Sequence, residues 1–218
     1  MTGPMHIDPD PERSLALAYA PDDGRRAALL ALLALDAALA DVVRTTTQPA
    51  IGQIRLAWWR EQLAKLDHAP PPAMPVLTAL AETVLPRGVT GAALAKVVEG
   101  WEVLIEEETL DRKALRRFGA ERGGQLFALA AAILGGDVDR ATMLGQGWAL
   151  ADLLHHVDES ATAETAGALA REALATPLRR VARPLGMLAL SARLDLARVA
   201  PGGSKRAARL AWFGLAGR

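Results

Sequence analysis

The sequence predicts an all-α helical bundle, and three observations carry that expectation. Leu and Ala dominate a composition that is 51% hydrophobic but only 4% aromatic, and such side chains lose little freedom in a helix. Helix start and stop signals recur along the chain at helical lengths. No stretch shows the period-two alternation of a half-buried strand. With 218 residues there is enough chain for one sizeable core, so residues 1–218 read as a single domain.

The elements follow in order. Pro9–Pro11 reads as an extended lead-in to a short helix over Ser14–Tyr19. Pro21, Asp22 and Asp23 then place acidic groups at a helix start, where they favour the positive end of the helix dipole. The helix they open, Gly24–Val43, is apolar nearly all round and belongs at the centre of a bundle. Pro49 opens the next helix, Ala50–Leu66, with Ile51, Ile54, Trp58 and Leu63 assigned to its inner stripe. The proline-rich bend His68–Pro75 leads to helices over Val76–Leu85, Thr90–Glu108 and Asp111–Leu134. Thr90 and Asp111 are the expected caps and Gly135-Gly136 the stop. Helices over Val138–His156 and Ala163–Ala175 follow; Pro177 is expected to open one running to Val199, and Ser204 to cap a last short one.

Composition excludes several functions. There is no cysteine, which removes disulfides, thiolate metal sites and cysteine nucleophiles. The longest apolar runs, Ala27–Leu35 and Leu126–Gly136, are shorter than the roughly 18 residues of a membrane span. The N-terminus has no apolar core of a secretory signal. The reading is therefore a cytoplasmic protein. Net charge is zero, and nucleic acid is not an expected partner. Charge is nevertheless unevenly placed. Ten basic residues from Arg171 to Arg218 face only Glu172 and Asp195, so residues 171–218 carry +8 and the rest carries −8. Internal charge balance is the plain reading of this basic region. Peripheral contact with an anionic membrane, or with an acidic partner, is the sharper one.

Three stretches, taken together and in order, resemble the squalene/phytoene synthase family. The first is RSLALAYAPDDGRRAALLALLALDAALADVV at 13–43, the second QPAIGQIRLAWWREQL at 48–63, and the third GQGWALADLLHHVDES at 145–160. The Gly-x-Ile-Arg-Leu-x-Trp-Trp-Arg core of the second is the most specific. The resemblance implies an isoprenoid-synthase-like bundle around a central cavity. Two facing helices in it present carboxylates four residues apart, a spacing that shares one helical face and can clamp Mg²⁺ on a substrate diphosphate.

The match then breaks at the motifs that carry the chemistry. The family's first acidic motif falls on Ala40, Asp41, Arg44 and Thr45, and its second on Asp152, His156 and Ser160. A carboxylate expected on the middle helix falls near Leu104. Asp36 lies about 140° around an ideal helix from Asp41 and does not complete a pair with it. The departures resemble a degenerate branch that includes mitochondrial assembly factors for respiratory complex I. They imply a non-catalytic accessory or assembly protein with a protein partner, no catalytic residue and no metal or other cofactor. In the alternative, an active Mg²⁺-dependent prenyl diphosphate transferase, Asp41, Asp152 and His156 would form an unusual clamp. Arg55 and Arg60 would contact diphosphate or lie in ion pairs, and Trp58 would line the cavity or the core. A prenyl-lipid-binding protein is the third reading. Arg44 is expected where the metal would otherwise sit.

Overall fold

The computed structural model describes residues 11–200 and 202–217, and among these residues all regular structure is helical. In chain order the helices are α1 (Pro11–Ala18), α2 (Asp23–Arg44), α3 (Pro49–Lys65), α4 (Pro75–Thr83), α5 (Gly91–Glu106) and α6 (Arg112–Phe118). A π-helical turn over Gly119–Gly124 joins α6 to α7 (Gln125–Leu134). They are followed by α8 (Val138–Leu153), α9 (Ser160–Leu174), α10 (Arg183–Leu196) and α11 (Ser204–Ala216). The expected caps are in place: the side chains of Asp22, Thr90 and Asp111 accept from the backbone N–H groups of Arg25, Ala93 and Ala114. Gly135 and Gly136, both at positive φ, end α7.

Helix α2 is central, as its composition predicts. Leu32, Leu35 and Leu39 are fully enclosed, and the helix packs on α4, α5 and α7. Helix α8 packs on the π-helical turn, α7, α9 and α10, with Leu144, Ala149 and Leu150 buried.

Four local expectations are corrected. Pro11 begins α1 instead of preceding it, while Pro9 lies outside the described residues. Of the stripe assigned to α3 only Leu63 turns inward. Gly52, Leu56, Trp59 and Leu63 are buried, whereas Ile51, Ile54 and Trp58 are 47%, 70% and 38% exposed. No helix runs through 177–182. Had one done so, the Pro184 ring would have met the Arg180 carbonyl one turn back; instead Arg180 takes φ 68° and its carbonyl accepts from Asp137 N–H. Gly203, not Ser204, occupies the cap position of α11.

Candidate functional site

The site is built around one arginine held inside the protein. Arg122 lies in the π-helical turn, and its side chain is 3% exposed. Its Nε and Nη2 each donate to a carboxylate oxygen of Asp36 at 2.9 Å, a two-point fork. Its Nη1 stands 2.8 Å from Oδ2 of Asp152. One guanidinium thus joins an acid on α2 to an acid on α8. Trp101 on α5 supplies a further donor, its indole N–H reaching Asp36 at 3.2 Å. The guanidinium lies 4.1 Å from the ring centre of Trp101, 5.0 Å from Trp148 and 5.5 Å from Phe118, so aromatic faces surround the charge.

Glycines allow this close approach. A Cβ on Gly100 of α5 would stand 2.3 Å from the Arg122 amide nitrogen, and one on Gly123 would stand 1.9 Å from the Gly145 carbonyl oxygen of α8. The π-helical turn is therefore pressed between α5 and α8 with backbone against backbone. Such turns widen a helix and often mark functional positions.

The electrostatics follow from the geometry. Burial opposes the charge on Arg122, but Asp36 and Asp152 more than offset it and hold the guanidinium more firmly protonated than usual. Burial likewise pushes the Asp152 carboxyl up, yet Arg122 brings it below the ordinary carboxylate value, with Arg13 and His156 adding to the effect.

A cleft of about 460 Å³ opens beside Arg122 and Asp152. Its walls are mostly apolar, with Val43, Leu104, Phe118 and Leu153 among them, and its polar edge carries Arg44, Arg122, Asp152 and His156. On its other side Asp152 borders a second recess of about 300 Å³, together with Glu12, Ser191 and Arg206.

The expected site residues are divided by this arrangement. Asp152, His156 and Arg44 border the cleft, with His156 lying past the end of α8. Asp41 does not border it; its exposed carboxylate pairs with Arg44 on the outside of α2. The acid that α2 turns inward is Asp36. Arg55 hydrogen-bonds Thr45 and Thr46, Arg60 pairs with Glu102, and Trp58 meets Trp59 edge-on; none of the three borders the cleft. The cation inside the site is Arg122, not Arg44. Arg122 was not singled out in the sequence; the available signal was a lone arginine before Gly-Gly and ahead of an apolar run, ERGGQLFALAAAIL.

The residues present do not fit the Mg²⁺ clamp the resemblance implies. Ala40 and Arg44 stand at motif positions on α2, Leu104 on α5, and the inward acids Asp36 and Asp152 are both bonded to Arg122. Among the described residues no three His, Asp or Glu side chains group in a way that would hold a metal ion.

Fold and site together define a helical bundle in which acids from two separate helices meet on one buried arginine beside an apolar cleft. A profile of the squalene/phytoene synthase family matches residues 8–176. The chain belongs to that family. No curated protein and no solved structure gives a significant match.

Proposed function

We propose that this chain is a non-catalytic member of the squalene/phytoene synthase family that acts as an accessory or assembly factor, of the kind represented in the branch containing complex I assembly proteins. The observation that carries the reading is Arg122: both inward carboxylates are engaged by a cation built into the chain. Ionising an allylic diphosphate requires concentrated positive charge at the leaving group, and the residues around the cleft are not arranged to recruit a metal for that task. The exposed stripe of Ile51, Ile54 and Trp58 on α3 supports a protein partner, since it leaves apolar area uncovered on one helical face. The test is incubation of the purified protein with labelled farnesyl or geranylgeranyl diphosphate and Mg²⁺ or Mn²⁺. No presqualene, squalene or phytoene product above background is expected. Metal-dependent product lost in Asp152→Asn would overturn the reading and restore the transferase alternative.

The apolar cleft favours a second reading, retention of a prenyl-type lipid without turnover. About 460 Å³ lies within the range of small-ligand pockets. Titration with a fluorescent prenyl alcohol tests it. Saturable binding that Leu104→Trp abolishes supports the reading, and binding unaffected by that substitution removes it.

A further inference from the structure

The last helix has two faces with different tasks. Its inner face ties it down: Arg206, 3% exposed at the side chain, donates to Glu12 at 2.5 and 2.8 Å and to Asp195 at 2.6 Å. Leu210 and Phe213 are buried beside it, and Gly214 leaves room for the Tyr19 ring. This clasp joins α1, α10 and α11 and neutralises one cation of the basic region internally. Among the described residues the outer face has no such contacts. Lys205, Arg209 and Trp212 succeed one another at four- and three-residue steps, with Ala208 between them on the same side and Leu215 at its edge. Trp212 is 64% and Leu215 74% exposed. Neither Lys205 nor Arg209 forms an ion pair among the described residues, nor does Arg198 in the linker ahead of the helix. The sequence contains no acidic residue after Asp195.

We propose that the outer face of α11 docks the protein on an anionic phospholipid surface. The cations lie toward the N-terminal end of the face and the apolar groups toward its C-terminal end. An interfacial helix combines the same groups: basic side chains among the headgroups, with Trp and Leu entering the boundary of the acyl region. The charge is complementary to an acidic leaflet, and the inward clasp holds the face in place so that docking requires no refolding. No helix among the described residues is long and apolar enough to cross a membrane, so the contact is peripheral. The inference does not depend on how the Arg122 site is read.

The test is co-sedimentation of the full chain with vesicles of phosphatidylcholine alone or with 30% phosphatidylserine, at low and high salt. Binding is expected to the anionic vesicles only and to weaken sharply between about 50 and 500 mM salt, as the screening length shortens. Arg209→Gln should reduce the partition coefficient about fivefold, the effect of one basic residue near such a surface. Trp212→Ser with Leu215→Ser should reduce it about tenfold or more, with the circular dichroism spectrum unchanged. Equal binding to both vesicle types, binding unaltered by these substitutions, or none at low salt would overturn the proposal. The last result would leave an acidic protein as the partner for this face.

Discussion

Replacing Arg122 with Met tests the central feature of the site. The substitution retains an unbranched apolar stem and removes the charge. Asp36, 2% exposed, then keeps only the Trp101 indole N–H of its side-chain donors, and Asp152 loses the cation that holds its carboxyl below the ordinary range. Breaking a buried ion pair by removing one partner costs about 3–5 kcal/mol, because the remaining charge stays buried without compensation. For a chain of this size each kcal/mol moves the melting temperature by about 2–4 °C, so the expected loss at pH 7 is about 6–20 °C. The second arm is the triple variant Asp36→Asn, Arg122→Met, Asp152→Asn. It removes all three charges together and is expected to recover most of the loss, since apolar or neutral replacements of a whole buried ion network are often close to neutral in stability. Thermal melts followed by circular dichroism read both. If the single substitution costs less than about 1 kcal/mol, or if the triple variant is no better than the single one, the triad is not a buried, mutually dependent unit and the reasoning fails.

Other consequences are checked as directly. The folded-state carboxyls of Asp152 and Glu12 are both lowered: burial raises each, but Arg122 outweighs it at Asp152 and the Arg206 and Ser191 contacts outweigh it at Glu12. A lowered folded value means that the stabilisation is present above the unfolded value of about 4 and is lost as pH falls through the folded one. In urea unfolding, the stability difference between the unsubstituted protein and Asp152→Asn should therefore narrow steadily between about pH 5 and pH 3; a constant gap would show that the pair does not titrate with folding. Gly123→Ala should destabilise by at least about 1–3 kcal/mol, because the new methyl group would meet backbone that cannot swing aside, and a melt within about 1 °C of the original would refute the backbone-to-backbone contact.

Much of the fold was legible because its signals are local. Asp22, Thr90 and Asp111 cap the helices they precede, and Gly135-Gly136 stops α7. The apolar circumference of α2 placed it at the centre. Helix α3 was misread because it carries apolar residues on both sides, so the pattern within the helix does not say which face turns inward. Tertiary contact decides that, and Gly52, Leu56 and Trp59 face the core. At the candidate site, the family pattern directed attention to Asp41 and Arg44, which form an exposed local pair. The offset of about 140° between Asp41 and Asp36 excludes a pair, and in the structure it is Asp36 that turns inward while Asp41 is exposed. Arg122 was hidden by the π-helical turn. Four of its six residues, Gly119, Arg122, Gly123 and Gly124, are buried, so a 3.6-residue pattern does not distinguish an inner side there.

The placement of Arg122 also bears on whether the bundle could handle a diphosphate. A guanidinium has five N–H donors. Here Nε and Nη2 are directed at Asp36 and Nη1 at Asp152. Two N–H groups remain beside the cleft, and to offer a diphosphate more than these the arginine would have to turn away from at least one of these acids. Asp36 has almost no access to solvent that could take the place of the lost contact. The two acids differ in access: Asp36 is buried with both oxygens bonded to Arg122, whereas Asp152 is 29% exposed at its side chain, borders the cleft and meets Arg122 through Oδ2. Asp36 and Arg122 therefore hold each other in place, and Asp152 links the pair to the cleft. Two neighbouring acids repel each other unless a cation or a shared proton lies between them. In this chain the cation is part of the fold, held between α5 and α8 by Gly100, Gly123 and Gly145, and it engages both acids that turn inward from α2 and α8.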